Sequence, residues 1–135
     1  WDVHYLLRDL DPRWIGSQFD IRHAVVEGGL AWPVSLRLVS DFINTLAVKD
    51  FRWARQDARW RPENCPLGEG MVDLPAYAGM LERCNVSAPV TIHFEYSLGG
   101  AEHGAREISV DRKTVLEALR SDLQRLRKAL GTARA

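Results

Sequence analysis

Val90-Thr91-Ile92-His93-Phe94-Glu95-Tyr96 is the stretch on which the fold turns. β-branched and aromatic residues fill it and Pro89 precedes it, so it predicts a buried strand. It closes on a charge. A charge inside a strand buried on both faces is costly unless paired, so Glu95 belongs at the strand's open C-terminal end. A loop follows, and then the strongest helix pattern of the chain. Asp111 is its predicted N-cap. Val115, Leu119, Leu123, Leu126 and Leu130 form its stripe, and Gly131 its stop.

Two earlier stretches repeat the plan. Trp14–Asp20 and Leu46–Phe51 read as strands. The first leads to a predicted helix over Pro33–Thr45, with Leu36, Val39, Ile43 and Leu46 at spacings of three and four. The second leads through a long polar loop to a helix capped by Asp73, with Pro75 in its first turn. Tyr77, Met80, Leu81 and Cys84 form that helix's inner stripe. A short helix is expected over Val3–Leu10.

Strand, loop and helix, three times over, predict an α/β fold with parallel strands. The loops after the strands are long and those before them short. That asymmetry suits a (β/α)8 barrel, whose site is built at the C-terminal ends of its strands. Residues 1–135 therefore read as a single domain forming part of a TIM barrel, with about three βα units. Three parallel strands leave two open edges and an uncovered face. The expectation is that this chain needs the missing strands or self-association. A cooperative, monomeric unfolding transition in dilute solution would show that expectation wrong.

The 135 residues suffice for a core, and 46% apolar with 27% charged residues is ordinary for a globular protein. Eighteen basic residues balance eighteen acidic ones, which gives no reason to expect nucleic acid as a partner. The basic cluster from Arg120 to Arg134 reads as the solvated face and last turn of a helix. No apolar run approaches the ~20 residues of a membrane span. Cys65 and Cys84 form no metal-binding spacing and read as free thiols in a reducing, cytoplasmic compartment. The chain opens on Trp1 without an initiator Met, so an upstream segment is expected.

Ionisable groups close all three strands: Asp20, then Lys49 and Asp50, then Glu95. Alternation puts Gln18 with Asp20, Ala47 with Lys49, and His93 with Glu95. If those faces point inward, Asp20, Lys49, His93 and Glu95 converge. They then either form a site or simply pair with one another and cap helices. Arg52, Trp53 and Trp60 follow the second strand, where they either line a sugar pocket or cover the barrel top. Pro66-Leu67-Gly68-Glu69-Gly70 reads as a turn into the next helix. Leu98–Gly104 lacks the spacing of a phosphate fingerprint and reads as a mobile loop. His4 reads as a surface histidine.

Gln18-Phe19-Asp20-Ile21-Arg22-His23-Ala24, Ala47-Val48-Lys49-Asp50-Phe51, Pro66-Leu67-Gly68-Glu69-Gly70-Met71-Val72-Asp73 and His93-Phe94-Glu95-Tyr96 occur in this order. Together they resemble the sugar phosphate isomerase/epimerase superfamily, the xylose-isomerase-like TIM barrels, over about Trp14–Leu130. The resemblance makes the strands the sixth, seventh and eighth of eight. It implies Asp20 and Glu95 as ligands of a divalent metal, Mg²⁺ or Mn²⁺, with Glu95 also the acid/base. It implies His23 as a substrate contact, three residues after the Asp. With the strand-end residues it gives a candidate set: catalytic Glu95 and Lys49, substrate-binding His23, Arg52, Trp53 and His93, metal-binding Asp20 and Glu95.

The chain departs from the family pattern at Ala47, where a metal-binding histidine commonly stands two residues before the Lys-Asp. Ala47 cannot ligate, and Lys49 on the same face then becomes a candidate electrophile. The implied function is metal-assisted isomerisation or epimerisation of a small carbohydrate, a sugar or sugar phosphate, by proton transfer next to a carbonyl. The alternatives are a lyase, dehydratase or hydrolase on the same carboxylates, or an incomplete barrel that binds a sugar without turnover.

Overall fold

The computed structural model describes residues 1–132. In chain order it contains α1 (Asp2–Leu7), β1 (Ser17–Asp20), α2 (Ile21–Gly28), α3 (Trp32–Val39), β2 (Ile43–Val48), β3 (Asp50–Gln56), β4 (Arg59–Cys65), α4 (Leu74–Arg83), β5 (Val90–Ile92) and α5 (Arg112–Thr132). β1, β2 and β5 form one parallel sheet with β2 central. β3 and β4 form a separate antiparallel ribbon.

The sheet's two faces differ as its alternation requires. Phe19, Leu46, Val48 and Ile92 lie on the helix-covered face, in a core with Leu36, Tyr77, Met80 and Leu126. Each such buried side chain contributes about 1.5–3 kcal/mol relative to exposure. Asp20 pairs in register with Ala47, and Ala47 with Thr91, so these three share the opposite face. That is the concave side of a barrel wall. β1 and β5 are open edges, and Trp1, Tyr5, Leu6, Trp14 and Leu30 are exposed. Among the described residues no helix is long and apolar enough to cross a membrane.

Several expected boundaries move. The helix expected over Pro33–Thr45 ends at Val39, and Ile43 already begins β2. The register of β1 on β2 slips at Asn44, an extra residue on β2. That bulge lets both Ile43 and Leu46 face the helices, which imitates a helical spacing of three. Trp14 and Ile15 are exposed and lie before β1. The segment after β1 is helical at once, as α2, ending where Gly29 takes a positive φ.

The expected polar loop after the second strand is the β3–β4 ribbon. Asp57 and Ala58 both have positive φ, as a two-residue type I′ turn requires. Asp-Ala lacks the glycine that usually announces such a turn, and polar residues on both ribbon faces hide the alternation. Asp73 caps α4 by accepting from the Ala76 N–H, as expected. Asp111 accepts from the Lys113 N–H at the start of α5. The α5 stripe is Leu126 and Ala129 with Asp122, while Leu123 is exposed. α5 continues past Gly131, and Arg134 lies outside the described residues. The Leu98–Gly104 loop is tied down, Glu102 accepting from the Leu98 and Gly100 N–H groups. His4 is half-buried against Phe42.

Candidate active site

β2 ends at Val48, and the next two residues point opposite ways. Lys49 goes to the concave side and Asp50 to the interior behind it. The His93 N–H continues the ladder to the Val48 carbonyl, and Glu95 follows two residues later on the same side. The result is a compact ionic cluster. Lys49 is 7% exposed. Its Nζ donates to Glu95 Oε1 and Oε2 at 2.9 and 3.0 Å and lies 3.3 Å from Asp20 Oδ2. One ammonium thus holds carboxylates from two sides.

His93 Nδ1 lies 3.5 Å from Glu95 Oε1, and His23 Nε2 lies 3.7 Å from Asp20 Oδ2. Asp20 also caps α2, its Oδ1 accepting from the His23 N–H. One carboxylate therefore serves both the helix start and the site. Burial works to raise the Glu95 pKa. The Lys49 hydrogen bond and charge, with His93 and Arg22, outweigh it and bring it below the ordinary value. A cleft of about 600 Å³ runs along the open β1 edge and reaches Asp20 and His23.

The structure thus brings together Asp20, Lys49, His93 and Glu95, with His23 attached through Asp20. Trp53 is 43% exposed and packs edge-on against Phe51 at 5.8 Å. Arg52 is not brought in. Its guanidinium pairs with Glu63 at 2.6 Å, on the ribbon face opposite Asn64, because successive residues alternate. Two members were missed. Asn64 lies on β4 and its Nδ2 donates to Glu95 Oε2 at 3.3 Å. Arg22 stacks its guanidinium over the Phe51 ring at 5.5 Å and acts on Glu95 by charge. Arg22 stood within the Asp-x-x-His stretch and was legible there as a cation. Asn64 was hidden until the ribbon was known.

Asp50 has a different task. It is 1% exposed and accepts from four backbone N–H groups: Phe51 at 2.8 Å, Gly68 at 2.9 Å, Gly70 at 3.0 Å and Val72 at 3.0 Å. It binds the start of β3 to the Pro66–Val72 turn. A Cβ on Gly70 would collide with the Phe51 carbonyl and Asp50, and Gly68 has φ +79°. The two glycines of the Gly-Glu-Gly turn are thus there for backbone approach. Glu69 pairs with Arg125 at 2.9 Å. Asp122 anchors the same turn, accepting from the Leu67 N–H at 3.2 Å and the Tyr96 hydroxyl at 3.0 Å. Cys65 lies beside this staple, and burial pushes its thiol up to about 11.

This chain supplies two of the expected metal ligands, Asp20 and Glu95, and among the described residues they do not form part of a group of three His, Cys, Asp or Glu donors that could hold an ion. Asp20 and Glu95 both face the Lys49 ammonium, and Ala47 stands level with Asp20.

The family model for xylose isomerase-like TIM barrels matches residues 1–128. The chain belongs to that family. The xylose isomerase-like TIM barrels include sugar isomerases and epimerases. Among solved structures, the xylose isomerase domain protein from Planctomyces limnophilus is similar, with a TM-score of 0.62 and 25% identity. The similarity covers 95% of this chain and 43% of that one. The chain thus spans less than half the length of that xylose isomerase-like barrel, as expected of a partial TIM barrel. No curated protein matches it.

Proposed function

We propose that the protein carrying this chain moves a proton next to a carbonyl of a small carbohydrate, giving an isomer or epimer. The observation that carries this reading is the buried Lys49 ammonium held against Glu95 at 2.9 Å and Asp20 at 3.3 Å. It pairs a cation with an acid/base at the C-terminal ends of barrel strands, where such sites are built. The remaining strands, from the same protein or another copy, cover the β1 and β5 edges and complete the pocket.

In this mechanism the substrate carbonyl takes a hydrogen bond from Lys49. Drawing the ammonium away releases Glu95 from the partner that holds its pKa down, which makes it a better base. Glu95 removes the proton from the carbon beside the carbonyl. The electron pair moves to the carbonyl oxygen, where Lys49 stabilises the resulting enediolate. Return of the proton to the former carbonyl carbon, with the neighbouring hydroxyl proton crossing to the first oxygen, gives the isomer. Return to the original carbon from the opposite face gives the epimer. His93 and Asn64 orient Glu95.

A second reading keeps a divalent metal, Mg²⁺ or Mn²⁺, on Asp20 and Glu95, and the convergence of the two carboxylates favours it. It requires Lys49 to withdraw and further ligands to come from strands outside this chain. Elemental analysis of the protein with its whole barrel, wild type and Lys49→Met, separates the two. Under the leading reading wild type carries no stoichiometric Mg²⁺ or Mn²⁺, chelation leaves turnover unchanged, and Lys49→Met lowers it by about 10²–10³. Stoichiometric metal with chelator-sensitive turnover would establish the second reading instead.

A further inference from the structure

We infer that Arg22 and Asn64 form a subsite for an anionic oxygen group, a carboxylate or a phosphate, carried by the substrate. The inference rests on the carbohydrate reading above and extends it by naming the substrate's charge. Arg22 Nε is buried and has no hydrogen-bond partner. Among the described residues the Arg22 guanidinium makes no close ion pair; it lies over the Phe51 ring and acts on Glu95 by charge at longer range. Asn64 presents the same situation with the other polarity. Its Nδ2 is bonded to Glu95 while its Oδ1 is buried without a partner.

Buried polar groups are almost always satisfied. Two unsatisfied ones, Asn64 bonded to Glu95 and Arg22 within reach of its charge, therefore point to an absent partner. Its chemistry follows from theirs. A guanidinium offers a planar fork of donors and no acceptor, which matches a carboxylate or phosphate through two parallel bonds. Asn64 Oδ1 needs a donor, which an adjacent substrate hydroxyl supplies. Lys49 is already committed to Glu95 and Asp20, whereas Arg22 keeps its Nε without a partner among the described residues. The Arg22 guanidinium carbon lies 5.5 Å from the centre of the Phe51 ring, and Trp53 packs against Phe51 in turn. A hydroxyl on Asn64 and an anion on Arg22 would hold the reacting carbon of a short acidic sugar beside Glu95.

The test is calorimetric titration of the whole-barrel protein with inorganic phosphate, glycolate and glycerol, in wild type, Arg22→Met, Arg22→Lys and Asn64→Asp. Wild type is expected to bind one of the two anions more tightly than glycerol. Arg22→Met should weaken that anion roughly ten- to hundredfold, and Arg22→Lys less, because it keeps the charge without the fork. Asn64→Asp should weaken it too, by repulsion, and guards against a failure of Arg22→Met to fold. Preference for phosphate identifies a sugar phosphate; preference for glycolate identifies a sugar acid. Neither anion binding, or binding unchanged in folded Arg22→Met or Asn64→Asp, overturns the inference. Heat of anion binding does not depend on turnover, so this result is separable from failure of the proton-transfer reading.

Discussion

Glu95→Gln is expected to lower turnover by about 10²–10⁴, the usual contribution of a positioned acid/base, while leaving the fold intact. The Glu95 side chain is 43% exposed, and Gln keeps hydrogen-bonding capacity toward Lys49 and Asn64, so the fold should survive with a modest loss of stability from the missing charge pair. The decisive measurement is exchange of the substrate proton in heavy water over a panel of sugars. Wild type should wash deuterium into the carbon beside the carbonyl, and Glu95→Gln should not. Exchange at an undiminished rate in the variant would remove Glu95 from its role. No exchange in wild type would leave a sugar-binding barrel without turnover.

The same group sets an expectation with pH. The Glu95 pKa is lowered in the folded chain, burial opposing and Lys49 prevailing. A depressed carboxylate contributes stability above its unfolded pKa of about 4.3. That contribution is lost as pH falls through the lower folded value. The acid limb of the free enzyme's kcat/KM should therefore lie below about pH 4.3.

Asp50→Ala is expected to be the most damaging single change to stability, about 3–5 kcal/mol. Removing the carboxylate strands four buried or half-buried backbone N–H groups, each costing about 1–3 kcal/mol if unpaired and recovering part through relaxation. Asn is no remedy, because its amide would set a donor against other donors. Urea unfolding of the whole-barrel protein measures the loss, with Asp73→Asn as a control that retains an N-cap. A loss under about 1 kcal/mol would mean that Asp50 does not staple the Pro66–Val72 turn. Activity should fall with Asp50→Ala as well, since Lys49 is the adjacent residue, but in proportion to the folded fraction.

How far the site could be read from sequence is clearest in Lys49-Asp50. Alternation alone says that the two side chains part and that Ala47 and Lys49 share a face; which face points inward is decided only by the sheet and its covering helices. What Asp50 does on the other face was not legible either. Its four donors come from Phe51 and from residues 18 to 22 positions further on, and the strand pattern says nothing of that turn. Arg52 shows the opposite error. A cation beside a strand-end lysine suggested a pocket, but once residues 50–65 form a ribbon its parity sends it to Glu63. Trp53 and Trp60, expected in a polar loop either lining a sugar pocket or covering the barrel top, stand instead on the two strands of the ribbon.

By itself the sequence determined the three βα units, the helix caps at Asp73 and Asp111, the convergence of Asp20, Lys49, His93 and Glu95, and the family. The units and caps follow from local periodicity and capping chemistry, the convergence from strand alternation once the inward face is taken as the one bearing Lys49, and the family from the resemblance of the quoted motifs; none needs knowledge of distant residues. The tertiary structure alone decided the bulge at Asn44, the β3–β4 ribbon, the Asp50 staple, and the presence of Arg22 and Asn64 beside Glu95. Each depends on which distant backbone groups meet. A residue's own neighbours do not encode that meeting, because it is fixed by packing of the whole sheet, helices and ribbon together.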